Sequence, residues 1–156
     1  MSDLTTSRIA VLQHKRRQAA AREALSKTSD QVGEPRHESI DPATSLRLQS
    51  DLYTRVKEMR NQGKLCKNDF ADAESAVSAA EEHLERLGRD AVFEVYAGAS
   101  GSGFFAGPVS VAFLSACLRG SHESIALVLP DLGAGLLLDV VLDDPRRGNF
   151  YEVEWW

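Results

Sequence analysis

Apolar positions recur along this chain with two different periods, and the switch between them divides it. Asp41 followed by Pro42 offers an N-cap and a first-turn proline. Leu48, Leu52, Val56 and Met59 then recur at helical spacing until Asn61, Gln62 and Gly63 interrupt the pattern. At ~3.6 residues per turn this predicts a helix of about five turns. After a short loop, Asn68 is placed to cap a second helix carrying Phe70, Ala73, Val77, Ala80, Leu84 and Leu87, with Gly88 as its stop. So short a joint predicts that the two helices, spanning 43–88, pack as an antiparallel hairpin in which Ala73 and Ala80 allow close approach.

From residue 91 the period becomes two. Residues 91–97 read as a strand, 108–119 as a helix opened by Gly107-Pro108 and closed by Gly120, and 123–130 as a second strand. Two further strands follow. Leu136, Leu138, Val140 and Leu142 alternate with Leu137, Asp139, Val141 and Asp143; Tyr151, Val153 and Trp155 alternate with Phe150, Glu152, Glu154 and Trp156. Keeping both apolar faces together pairs Leu142 with Tyr151, Val140 with Val153 and Leu138 with Trp155, and sets Asp139 opposite Glu154. The fold class expected is α+β: N-terminal helices including an antiparallel helical hairpin, then a β-α-β-β-β mixed or antiparallel sheet over 91–156, packed on helices.

Ahead of this pattern, residues 7–27 are rich in helix formers, but Ile9, Leu12 and Leu25 make only a broken stripe, which predicts a helix without firm docking. Residues 28–43 have linker composition, with two prolines and few large aliphatics. The organisation expected is a basic helix and flexible linker over 1–42, followed by one α+β domain over 43–156.

Composition adds bounds. A chain of 156 residues, 43% hydrophobic and 26% charged, can bury a core unaided. No apolar run approaches the ~18–20 residues needed to cross a bilayer, and no signal-type segment opens the sequence. With Cys66 and Cys117 far apart, the expectation is a cytoplasmic protein with reduced thiols. Charge changes the picture more. Residues 1–67 hold 13 Lys and Arg against 8 Asp and Glu, and the remainder 5 against 15. Either the two halves attract each other in the fold, or they meet different surroundings.

Candidate chemistry is sparse. The glycine-rich turn 98–107 contains Gly101-x-Gly103-x-x-Ala106 between a strand and a helix, a spacing that lets backbone amides hold an anion. Ser100, Gly101, Ser102 and Gly103 are its candidate contacts. Only one β-α-β unit surrounds it and no Walker lysine is present, so a tight turn is the simpler reading. A serine nucleophile is disfavoured, because the elbow lacks its last glycine and His122 is the last histidine. His14, His37, His83 and His122 have no metal-ligand spacing, and neither cysteine sits in a metal or catalytic pattern. No cofactor or metal is indicated. Cys117 reads as a buried thiol; Cys66, between Lys64 and Lys67, as the more nucleophilic of the two.

Two charged features remain. Lys15, Arg16, Arg17 and Arg22 could lie along a phosphate backbone, although no aromatic residue accompanies them for base stacking. At the other end, Asp139, Asp143, Glu152 and Glu154 share one sheet face with Trp156, and with Glu94 near. Like charges across strands are unfavourable, and acids with embedded aromatics suit a protein-binding surface. The leading expectation is a non-enzymatic protein of the inhibitor, immunity or antitoxin kind that presents this acidic face to a basic protein partner. The alternatives are a nucleic-acid-associated regulator using the basic helix, with homodimerisation through the sheet domain, and a small enzyme with an anion site at the glycine turn.

Overall fold

A computed structural model describes residues 2–88, 90–96, 101–119 and 124–156. The described residues form four helices, α1 (Ser2–Val32), α2 (Pro42–Asn61), α3 (Ala73–Leu87) and α4 (Val111–Arg119). Seven strands accompany them: β1 (Glu38–Ser39), β2 (Cys66–Phe70), β3 (Val92–Tyr96), β4 (Ser102–Ala106), β5 (Ser124–Val128), β6 (Gly135–Asp144) and β7 (Gly148–Trp155). All strands join one antiparallel sheet in the order β1-β4-β3-β5-β6-β7-β2. The fold is α+β. None of the described helices is long and apolar enough to cross a membrane.

Both faces of the sheet are covered, because the central strands are apolar on both sides. Phe93, Val95, Phe105, Ile125, Leu127, Leu136, Leu138 and Val153 face α3, α4 and the second half of α1. Their neighbours Phe104, Ala126, Val128 and Leu137 face α2, whose stripe Leu48, Leu52, Val56 and Met59 packs there. The stripes of α2 and α3 therefore enter separate cores on opposite sides of the sheet, and the expected helical hairpin does not form. The reason lies in the short joint between them. Residues 66–70 pair with β7 as an edge strand, so Phe70 belongs to a strand and Asp72, rather than Asn68, caps α3 by accepting from Ser75 N–H at 2.8 Å. Crossing the sheet edge, β2 carries the chain from one face to the other.

The first helix also departs from expectation. It runs on to Val32 through residues read as linker, and Ala21 and Leu25 are core residues, each 2% exposed. What holds α1 is polar as much as apolar, which a hydrophobic stripe cannot reveal. Gln18 donates through Nε2 to the carbonyls of Ile40 and Phe104, both at 2.9 Å. His14 Nε2 lies 2.7 Å from Ser45 Oγ, which in turn accepts Phe104 N–H at 2.8 Å. Burial, helped by the charge of Arg17, lowers the His14 pKa and keeps that ring neutral. Together these bonds close the edge of β4 that β1 leaves open, since β1 pairs only with Phe105 and Ala106. Contact is close enough to require glycine: a Cβ on Gly101 would stand 2.6 Å from the Arg17 carbonyl oxygen and 2.7 Å from Ala21 N.

In the β6-β7 hairpin the faces are as the alternation predicts, while the register is two residues away. Leu138 pairs with Val153, Leu136 with Trp155, and Asp139 with Glu152 rather than Glu154. An irregularity between Val141 and Asp144, with Asp143 at φ 56°, absorbs the difference and leaves Leu142 exposed at the tip. Asp144 Oδ1 fixes the turn by accepting the amides of Arg146 and Arg147.

Candidate functional site

The acids of β6 and β7 converge. Oxygen atoms of Asp139, Glu152 and Glu154 all lie within 4.8 Å of one another. Like charges this close need compensation, and the chain supplies it from α2 and β2. Arg60, in the last turn of α2, donates Nη2 to Glu154 Oε1 at 2.6 Å and Nε to Oε2 at 3.3 Å. Lys67 on β2 reaches Glu152 at 2.9 Å and Asp69 at 3.8 Å, and Arg147 takes the other Asp69 oxygen at 2.7 Å. These contacts raise the pKa of Arg60 and of Lys67, in each case chiefly through the hydrogen bond to its glutamate.

Asp139 has no such ion pair among the described residues. Burial, reinforced by the charges of Glu154 and Glu152, pushes its pKa up to about 6 against the weaker pull of Arg60 and Lys67. Glu94, on the same face two strands away, is pushed up to about 7 by burial, with a hydrogen bond to Gln49 opposing it. Both carboxyls line a cleft of about 520 Å³ between α2 and the sheet. Its floor is Glu94, Ala126, Leu137 and Asp139; its other wall is the α2 face bearing Leu52, Val56, Lys57 and Arg60, with Tyr53 at the rim. Tyr53 is 72% exposed. A cleft of this volume, apolar in the main with a few convergent polar groups, has the character of a binding site. The raised carboxyl pKa values are what such a desolvated place produces.

The other residues singled out from sequence are distributed elsewhere. Asp143 stands exposed at the hairpin tip, apart from the three converging acids. Trp156 is half-buried; its ring packs over Gly135, and its Nε1 donates to the Leu132 carbonyl at 2.9 Å, closing the end of the sheet. Gly101 and Gly103 face α1, and Ser102 begins β4, where its Oγ accepts from Arg17 Nε at 3.2 Å. The glycine segment is thus a strand from residue 102 onward, between β1 and β3, not an open turn leading into a helix. Ser100 and His122 lie outside the described residues. Lys15, Arg16, Arg17 and Arg22 are all exposed on α1. Cys117 is buried with its thiol pushed up to about 12 by desolvation, and Cys66 is exposed on β2.

Gln49, Tyr53, Lys57 and Arg60 had no sequence signal of their own as site residues. They are the outward positions of a helix whose inward stripe was legible, and only the placement of α2 over the acidic face assigns them a role. No family model matches the chain, and neither a curated protein nor a solved structure matches it.

Proposed function

We propose that this protein is a non-catalytic protein-binding module, of the inhibitor, immunity or antitoxin kind, that receives a basic side chain of its partner in the cleft beneath α2. The observation that carries this reading is the asymmetry among the acids. Glu152 and Glu154 are paired by the chain's own Lys67 and Arg60, whereas Asp139 and Glu94 line the cleft with no ion pair among the described residues. A cation entering from a partner would supply the missing charge and pull both carboxyl pKa values back down. Lys57 and Arg60 on the opposite wall repel that cation toward the floor and match an acidic neighbour in the same segment. Tyr53 at the rim offers the exposed aromatic surface that interface anchors use.

The test is a comparative capture from cells with the wild-type chain and with a Tyr53→Ala/Asp139→Asn variant, followed by affinity measurement on each protein retained. A true partner binds the variant at least about tenfold more weakly, the scale of one interface anchor. Its wild-type affinity also falls as the pH drops below about 6, where the cleft carboxyls take up protons. Equal retention of every captured protein by the two chains refutes the cleft as the recognition site.

A further inference from the structure

Arg60 and Lys67 join the basic half of the sequence to the acidic half through Glu154 and Glu152, and the cations along α1 stand apart from those pairs. Arg8, Lys15, Arg16 and Arg22 are exposed on α1, and none of the four forms an ion pair among the described residues, where the ion pairs join Arg36, Arg60, Lys67, Arg119 and Arg147 to acids. Glu23 is the one acidic residue between Asp3 and Asp30.

Their placement is regular. Arg8, Lys15 and Arg22 recur every seven residues, so at ~1.5 Å per residue they form a row along one side of α1 with about 10 Å between members. Arg16 lies about a quarter-turn from the row on one side, and about a quarter-turn away on the other side the helix is committed, since His14, Gln18, Ala21 and Leu25 are buried. Beside the row, a notch of about 270 Å³ runs between Lys15, Ala19 and Arg22 and the turn 39–42. The N-terminus of α2 opens there and adds the positive end of its dipole. Asp41 also borders the notch, but its carboxylate is engaged by Thr44, through N–H and Oγ1, both at 3.0 Å.

Three anionic or self-complementary surfaces could meet such a row, and the composition of the helix separates them. A second copy docking through α1 would bring arginines and lysines against their own kind. A membrane-surface helix needs a broad apolar face, and among the residues of α1 from Arg8 onward the exposed large apolar ones are Ile9 and Leu12. Duplex nucleic acid needs only a straight cationic edge, because it carries a charge every ~1.7 Å along its axis. We propose that Arg8, Lys15, Arg16 and Arg22 form a contact surface for the phosphate backbone of duplex nucleic acid. Contacts to phosphates alone carry no base information, so the contact is independent of sequence.

Fluorescence anisotropy of the full chain with labelled DNA and RNA duplexes of about 20 base pairs tests this. With a slope of about 0.9 per phosphate, four contacts weaken binding roughly a hundredfold between about 50 and 200 mM salt. The variant R8Q/K15Q/R16Q/R22Q changes exposed positions only. It is expected to keep the wild-type circular dichroism and melting temperature while losing duplex affinity and most of the salt slope; the pair K15Q/R22Q, a milder change, is expected to lose about half the slope. Preference for one duplex over the other identifies which nucleic acid is the natural source of the phosphates. The proposal is overturned if neither duplex is bound at the lower salt, if the glutamine variants bind as wild type does, or if phosphatidylserine vesicles are bound while both duplexes are ignored.

Discussion

Replacing Arg60 by Met tests how the acidic face is held together. Glu154 is 3% exposed and accepts two hydrogen bonds from the guanidinium, with Asp139 and Glu152 oxygens within 4.8 Å. Removing one partner of a fully buried pair costs about 3–5 kcal/mol, because the remaining charge stays desolvated. Here the Arg60 side chain is 55% exposed, so solvent already screens the pair, and the expected loss is nearer 2 kcal/mol. For a chain of this size that is a fall of about 4–8 °C in melting temperature. Adding Glu154→Gln removes the orphaned charge and recovers most of the loss. A deficit under about 1 °C, or no recovery in the double variant, would refute the argument.

Other substitutions probe the cleft and the docking of α1. Glu94 has its folded pKa near 7 against an ordinary 4.5, so wild-type stability falls as pH rises between those values. Glu94→Gln escapes this loss and melts higher than wild type near pH 8, by on the order of 2–3 kcal/mol, with no gain near pH 4; a gain that is the same at both pH values contradicts the burial of that carboxyl. Gly101→Ala places a Cβ against the backbone of α1 at 2.6 Å and 2.7 Å, so it is expected to displace the helix and lower the melting temperature by more than about 8 °C. Gln18→Leu keeps the volume but strips a donor from the Ile40 and Phe104 carbonyls, costing about 1–3 kcal/mol in chemical denaturation. Mild proteolysis between α1 and α2 is expected to cut at the exposed Pro35-Arg36 segment and not within the helix before it, and a severed α1 that leaves the body in gel filtration would show that its docking is weak.

Much of the architecture is local and was therefore legible. Helix α2 follows from its cap, its proline and a stripe at helical spacing; β6 and β7 follow from alternation and a turn-rich joint. The convergence of acids was legible too, since period two places Asp139, Glu152 and Glu154 on one face whatever the register, provided it shifts by an even number of residues. Sequence could not give the number of residues in that shift, because an irregularity beside the turn sets it.

What only the tertiary structure decided is which surfaces meet. Two amphipathic helices joined by a few residues can pack on each other or on opposite faces of a sheet. The stripes of α2 and α3 serve either arrangement, and the choice fell to the pairing of residues 66–70 with β7, made with a strand some 80 residues away. In the same way α1 has too few apolar residues to announce a buried face; Gln18 and His14 dock it through bonds to partners on α2, β4 and the turn before α2. The cleft itself has no sequence signature, because its walls combine the edge of the α2 stripe, Leu52 and Val56, and the polar positions beside it with a sheet face on which Glu94 and Asp139 interrupt apolar residues. Periodicity reports which side of an element is apolar, whereas the partner of each side is settled by long-range pairing and by hydrogen bonds that no local pattern encodes.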